Sequence, residues 1–256
     1  MNLQDKVAIV TGSASGIGKA AAETLTRSHV KVVICDRDQD LGEQVVSDIR
    51  RNGGSAVFLH VDLLDPLAAE LMVKQAVDTW GRIDFIINSA AIVCNKALES
   101  VTHEDWDRVF AVNLKACFFL VQSALPYLKE SRGSIVNISS LGGVINSSHN
   151  FVYDSLKAAL NQLTTGMALE LREFGVRCNA LMPGGIDTPL LKTWFHQSVD
   201  DPEEAEQVAE LEKHSPRCGA PQQVADAVLF LCSEQASWVN GALIPIDGGY
   251  HLGSSS

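Results

Sequence analysis

Val7-Ala8-Ile9-Val10-Thr11-Gly12-Ser13-Ala14-Ser15-Gly16-Ile17-Gly18 decides the fold. Four apolar residues run together, then a glycine-rich turn opens a segment with helical spacing. A short, wholly apolar run suits a strand buried on both faces of a parallel sheet. Gly12 can take backbone angles closed to other residues. Gly16 lets the chain approach a pyrophosphate, and Gly18 lets helix and strand pack closely. The helix that begins at Ile17 points its free N–H groups and positive end at phosphates, with Ser15 beside them. A strand before the turn and a helix after it are the context a dinucleotide-binding turn requires.

The same alternation continues along the chain. Strands are expected at Val7–Val10, Lys31–Cys35, Ala56–Val61, Ile83–Ile87, Ser134–Ile138, Val176–Leu181 and Ala242–Ile246. Helical patterns fall between them at Ile17–Ser28, Gln39–Asn52, Leu67–Trp80, His103–Lys129, Val152–Glu173 and Gln222–Cys232. Gly53-Gly54 and Gly81 stop helices, and Thr102 with Asp105 resembles a capping box. The order predicts an α/β fold: a doubly wound parallel sheet with helices on both faces, in a single domain over 1–256. Residues 184–214 break the alternation and read as a lid-like insertion. The tail Gly253-Ser254-Ser255-Ser256 reads as a loose terminus or an expression scar.

With 46% hydrophobic residues among 256, the chain can fill a large core. Its net charge of −11 argues against nucleic acid as a partner, because neutralising phosphates needs a basic patch. Asp200, Asp201, Glu203, Glu204, Glu206, Glu210 and Glu212 concentrate part of that charge, read as one solvated helix face and its leading turn. No apolar run reaches about 18 residues and no signal peptide precedes Lys6, so no membrane partner and a cytoplasmic location are expected. Cys35, Cys94, Cys117, Cys178, Cys218 and Cys232 form no metal spacing. They read as small core residues, except that Cys94, just past a strand end, is placed to face a ligand.

Asp36 ends the second strand, 18 residues after Gly18. That is close to the ~20-residue offset of a ribose-binding acid. Its carboxylate can accept from the adenosine hydroxyls, whereas a 2′-phosphate would meet like charge. NAD is therefore expected over NADP, with Arg37 as the residue that could pair with a phosphate instead. Asp62-Leu63 and Asn88-Ser89-Ala90-Ala91 follow the third and fourth strands, where open α/β sheets bind ligands.

Tyr153 and Lys157 stand four residues apart in a helix, on one face. An ammonium beside a phenol favours the phenolate and lowers the tyrosine pKa, from about 10 toward the neutral range. A phenol tuned in this way can give or take a proton. Proton and hydride together interconvert an alcohol and a carbonyl.

Taken together, these residues resemble the short-chain dehydrogenase/reductase family in its one-domain, Rossmann-like branch, from about Lys6 to Gly249. Thr11–Gly18 matches its TGxxxGxG turn. Asn88–Ala91 matches its NNAG segment, with Ser89 for the second Asn and Ala91 for the Gly. Tyr153–Lys157 is its YxxxK motif, and Ser140 stands thirteen residues earlier at the position of the family serine. Asn113 matches the helix asparagine, Pro183–Thr188 the PG…T cofactor loop, and Asp247-Gly248-Gly249 the usual ending. The resemblance implies Tyr153 as general acid/base and Lys157 as ligand of the nicotinamide ribose. It implies Ser140 as partner of the substrate oxygen and Asn113 as holder of a relay water. It also assigns Pro183, Gly184, Ile186 and Thr188 to the nicotinamide end of the cofactor, and a homotetramer. Ser139 competes with Ser140, and Asn113 alone would equally suit a satisfied core amide.

The expected activity is NAD-dependent interconversion of a secondary alcohol and a ketone, with no metal. Cys94, Asn146, His149 and Trp194 join Ser140 as candidates around the small-molecule substrate. Lys96, Lys192 and Arg217, with His149, are candidate anchors for a carboxylate. The alternatives are a non-catalytic dinucleotide sensor on the same fold, or an isomerase or dehydratase that keeps its NAD bound.

Overall fold

Seven strands form one parallel sheet in the computed structural model, which describes residues 3–199 and 201–253. In chain order the elements begin β1 (Val7–Thr11), α1 (Gly16–Arg27), β2 (Lys31–Asp36), α2 (Gln39–Arg51), β3 (Ser55–His60), α3 (Ala68–Trp80) and β4 (Phe85–Asn88). One continuous helical stretch follows, α4 (His103–Phe110), a π turn (Ala111–Lys115) and α5 (Ala116–Ser131). Then come β5 (Ser134–Ile138), α6 (Phe151–Leu171), β6 (Arg177–Pro183), β7 (Gly185–Ile186), α7 (Pro189–Ser198), α8 (Pro202–Lys213), β8 (Cys218–Gly219), α9 (Pro221–Cys232) and β9 (Leu243–Ile246). The sheet order is β3-β2-β1-β4-β5-β6-β9, and β7 pairs with β8 apart from it. The order reverses between β1 and β4, and there the carboxyl ends of the strands open a crevice.

The apolar runs are strands because both their faces are covered. On one side α1, α2 and α9 pack Leu25, Val45, Ile49 and Val228 against Ala8, Val10, Val32 and Ile34. On the other, α3, α5 and α6 pack Met72, Leu120, Leu128 and Leu171 against Val7, Ile9, Val33 and Ile86. Five of the six cysteines are buried and Cys218 is half-buried. The Thr102–Asp105 capping box forms, and Gly81 ends α3 in the left-handed conformation.

The insertion is more structured than a loop. It holds β7, α7 and α8, with β8 just beyond it and Asp201 capping α8 by accepting from the Glu203 and Glu204 N–H groups. Glu206 of the acidic helix pairs with Lys192 and His196 of α7, so part of that face grips its neighbour. Asp200 and the serine tail lie outside the described residues.

The longest helix is also the most apolar by window. No apolar run of membrane length stands out in the sequence, yet His103–Ser131 folds as one helix. An 18-residue window of it, 39% buried, has a mean hydropathy of 1.5. Length and composition alone would let it cross a membrane. Its Leu120, Val121, Ala124 and Leu128 pack on the sheet, whereas Phe118 and Phe119 face outward.

Candidate active site

The glycine turn closes by direct backbone contact. Gly12 has φ +64°, and a Cβ there would lie 2.7 Å from the Ala90 Cα. Gly16, at φ +52°, faces the Thr188 side chain in the same way. Thr11 Oγ1 accepts from the Ser89 and Ala90 N–H groups, each at 3.1 Å, and so ties the end of β1 to the loop after β4. Ser15 precedes α1 without capping it through its side chain, which leaves the first N–H groups of the helix free. This cradle fits a pyrophosphate.

A cleft of about 550 Å³ opens above the turn. Gly12, Ser15, Gly16, Ile17, Gly18, Asp36, Arg37, Asp62, Leu63, Ala90, Cys94 and Thr188 line it, as the sequence led us to expect. Asp36 is held by the N–H groups of Ala14 at 3.0 Å and Asp38 at 3.1 Å. Asn88 does not line the cleft. Its amide donates to Asn137 Oδ1 at 2.8 Å, and Asn137 donates to Thr164, so Asn88 joins β4, β5 and α6 inside the protein. Pro183, Gly184 and Ile186 lie outside the lining as well, as do Ser140, Tyr153, Lys157 and Trp194. Ile186 is buried, and the Gly184 N–H donates to Ile246 O.

Ser140, Tyr153 and Lys157 come together just past the carboxyl end of β5. Lys157, 2% exposed, lies inside the protein and donates to Ile138 O at 2.7 Å. Its Nζ is 5.4 Å from the centre of the Tyr153 ring. Ser139 turns inward to Lys157 O, which leaves Ser140 as the hydroxyl that acts on the phenol. Burial lowers the Lys157 pKa to about 8, with the Cys117 thiol opposing. The Tyr153 phenol is raised above its ordinary value, not lowered as expected. Burial is the main cause, the Ser140 hydroxyl works against it, and the Asp154 carboxylate adds to it. Desolvation of a phenolate outweighs an ammonium that is turned toward a carbonyl.

Asn113, fully buried in the π turn, uses both ends of its amide on Ile92. Oδ1 accepts from the Ile92 N–H at 2.9 Å and Nδ2 donates to the Ile92 carbonyl at 2.8 Å. This is the satisfied core amide that the sequence allowed. It fixes the loop after β4, where Ile92 and Cys94 line the cleft. Cys94, Val109, Val152 and Leu156 form a small apolar cluster that joins this loop, α4 and α6. The start of α6, which carries Tyr153, and the cleft wall therefore share one apolar support.

The substrate side is looser. Asn146 and His149 are exposed outside the cleft, and the His149 carbonyl accepts from the Lys96 N–H. Trp194 packs edge-on against Phe195 in α7. Lys96 pairs with Asp105, Lys192 with Glu206, and Arg217 stacks over Tyr250, so these candidate carboxylate anchors already have partners. Sequence reasoning missed Asp105, Arg108, Val109 and Val112, a helical stripe along the cleft; its signal was the i, i+3, i+4, i+7 spacing. Asn95, a candidate pocket residue by sequence, donates from its backbone to Gln197 Oε1 at 2.9 Å and from its side chain to Ser198 Oγ, docking α7 onto the loop after β4.

A family model described as Enoyl-(Acyl carrier protein) reductase matches residues 12–251. The chain belongs to the short-chain dehydrogenase/reductase family. It is 34% identical to 2,5-dichloro-2,5-cyclohexadiene-1,4-diol dehydrogenase LinX of Sphingobium indicum, over 98% of each chain. The crystal structure of levodione reductase superposes with a TM-score of 0.91 at 30% identity, covering 98% of this chain and 99% of that one. A Beutenbergia cavernae structure with NADP bound at low occupancy gives 0.87 at 29%, with the same coverage. Members of the family are oxidoreductases with a Rossmann-like sheet, and the TGxxxGxG turn and YxxxK motif fall here on the cleft and on the buried phenol–ammonium pair.

Proposed function

We propose that this chain is an NAD-dependent oxidoreductase that interconverts a secondary alcohol and its ketone, with Tyr153 carrying the proton. The observation that carries this reading is the group of Tyr153, Ser140 and Lys157, with Tyr153 and Lys157 buried on a helix that the Cys94, Val109, Val152 and Leu156 cluster joins to the wall of the cleft. When bound, the dinucleotide supplies or accepts the hydride. In the reducing direction Tyr153 Oη gives its proton to the oxygen of the substrate as that oxygen gains electrons. The raised pKa keeps the phenol protonated and ready for this. In the oxidising direction the phenolate must form, with the Lys157 ammonium 5.4 Å from its ring and still largely charged at neutral pH. Ser140 Oγ steadies the substrate oxygen, where charge changes most. Asn113 holds the Ile92 loop that flanks the site.

Asp36 and Arg37 both line the cleft, and the carboxylate supports NAD. A 2′-phosphate beside it would meet like charge. Cys94, Asn146, His149 and Trp194 remain candidates around the substrate, and the name of the Sphingobium relative points to a cyclic alcohol. Trp106, Phe110, Phe118 and Phe119 are each about two-fifths exposed on the long helix, which supports assembly as a homotetramer. Light scattering on the purified protein measures that state.

The test of function follows NADH absorbance against a panel of cyclic alcohols, polyols and ketones, with NAD and NADP in parallel. Turnover with NAD, lost in Tyr153→Phe, is expected. NADP preferred tenfold or more would overturn the cofactor assignment. Binding of NADH without any turnover would favour a dinucleotide sensor.

A further inference from the structure

Asp154 has no part in the steps above, yet its carboxylate is buried one residue from the phenol. The residue is 2% exposed. One carboxylate oxygen accepts from the Ser147 N–H at 2.9 Å, the other from Asn150 Nδ2 at 2.9 Å. A Cβ on Gly142 would come within 2.0 Å of Asp154 Oδ1, so the loop backbone rests directly on the acid. The Gly142 N–H in turn donates to Ser140 Oγ at 3.0 Å. Three points of the loop that carries Ser140, Asn146 and His149 therefore meet one side chain. Val144 to His149 are otherwise exposed, and His149 holds a left-handed φ of 63°.

A buried acid here is costly. Burial raises the Asp154 pKa, and the bonds from Ser147 and Asn150 offset only part of the rise. Because the fold favours the neutral form, the penalty is absent at low pH and grows as the pH climbs through the carboxylate range. The x positions of YxxxK demand no charge, and a small residue would pack without that cost. The carboxylate's partners explain its presence: all are donors from the loop beside the substrate.

We infer that Asp154 is a positioning residue, whose carboxylate anchors loop 140–150 so that Ser140 stays turned toward the Tyr153 phenol. This rests on Tyr153 as the proton carrier. The ionisable groups near the pair are Lys157 on the same helix, the Cys117 thiol of α5 beside Lys157, and the exposed His149 of the loop.

The test compares the full chain with Asp154→Ala and Asp154→Asn. Hydrogen exchange of the peptide spanning 141–150 is measured without substrate. Steady-state constants, NADH binding and the pH profile follow. Asp154→Ala is expected to speed exchange in that peptide at least tenfold and to lower kcat/KM at least tenfold, with the NADH dissociation constant within twofold. Asp154→Asn, which Asn150 can meet by turning its unpartnered Oδ1 toward the new amide, should restore much of both. It should also keep its melting temperature at pH 7. Removing the charge should move the pH limb assigned to Tyr153 downward by on the order of half a unit. Unchanged exchange in both variants overturns the inference. So does faster exchange with kcat/KM and the pH limb unmoved, which would leave a merely structural acid. Should Asp154→Ala not fold, Asp154→Asn carries the test through its pH limb. A parent chain without turnover would refute the proposed function, while exchange still judges the anchor.

Discussion

The cofactor side and the substrate side of this cleft are built differently. On the cofactor side short side chains and bare backbone hold the turn: the Gly12 backbone touches Ala90, Thr11 Oγ1 holds the Ser89 and Ala90 N–H groups, and the Asp36 carboxylate is pinned by the Ala14 and Asp38 N–H groups. On the substrate side loop 140–150 and the lid are held by side chains, namely Asp154, Asn95, Lys192 and Glu206. Where backbone approaches this closely, as at Gly12, little change is tolerated. A site made of side chains can be retuned residue by residue while the sheet stays fixed.

The largest expected break falls between the two sides. Tyr153→Phe should lower kcat by on the order of a thousandfold, as the loss of a general acid does. NADH binding, followed by fluorescence titration, should stay within about twofold. Lys157→Met should also abolish turnover, yet make the fold more stable. The fall of the lysine pKa from 10.5 to about 8 corresponds, at about 1.4 kcal/mol per unit, to a cost on the order of 3 kcal/mol at neutral pH. The unfolded chain binds the extra proton between about pH 8 and 10.5, so the parent should recover that stability as the pH rises through this window. Denaturant midpoints of parent and variant, compared at pH 7 and pH 10, measure it.

Gly12→Ala tests the backbone side alone. The left-handed φ and the 2.7 Å approach to Ala90 should cost on the order of 1–3 kcal/mol and weaken NADH binding, as calorimetry would report. Glu206→Gln tests the lid and sits at the small end. Its partners Lys192 and His196 are exposed or nearly so, and such pairs contribute little. The melting temperature should not move, and only the KM for the alcohol should change, by less than about threefold.

The backbone side was legible in the sequence because glycine, strand and helix signals are local. Val7–Gly18 and Asp36 state the cleft almost by themselves, and the seven expected strands are the seven of the sheet. Ser140, Tyr153 and Lys157 were legible by spacing. The direction of the Tyr153 pKa was not, because i,i+4 spacing shows who the neighbour is but not how far both groups are buried. What the Asn88 and Asn113 amides bond was not legible for a related reason: they meet Asn137 and Ile92, partners 49 and 21 residues away. The Asn95 docking of α7 spans about a hundred residues and leaves no local mark.

The π turn at Ala111–Lys115 sets the phase of the longest helix. There the Ala116 N–H reaches back five residues to Ala111 O. One residue more than an α-helix needs is accommodated, and each residue carries about 100° of rotation. Deleting a single residue from this turn would swing Asp105, Arg108 and Val109 off the cleft wall while leaving Leu120 and Leu128 seated on the sheet. The helix acts as a dial with two settings, and the extra residue selects the one that points α4 at the ligand.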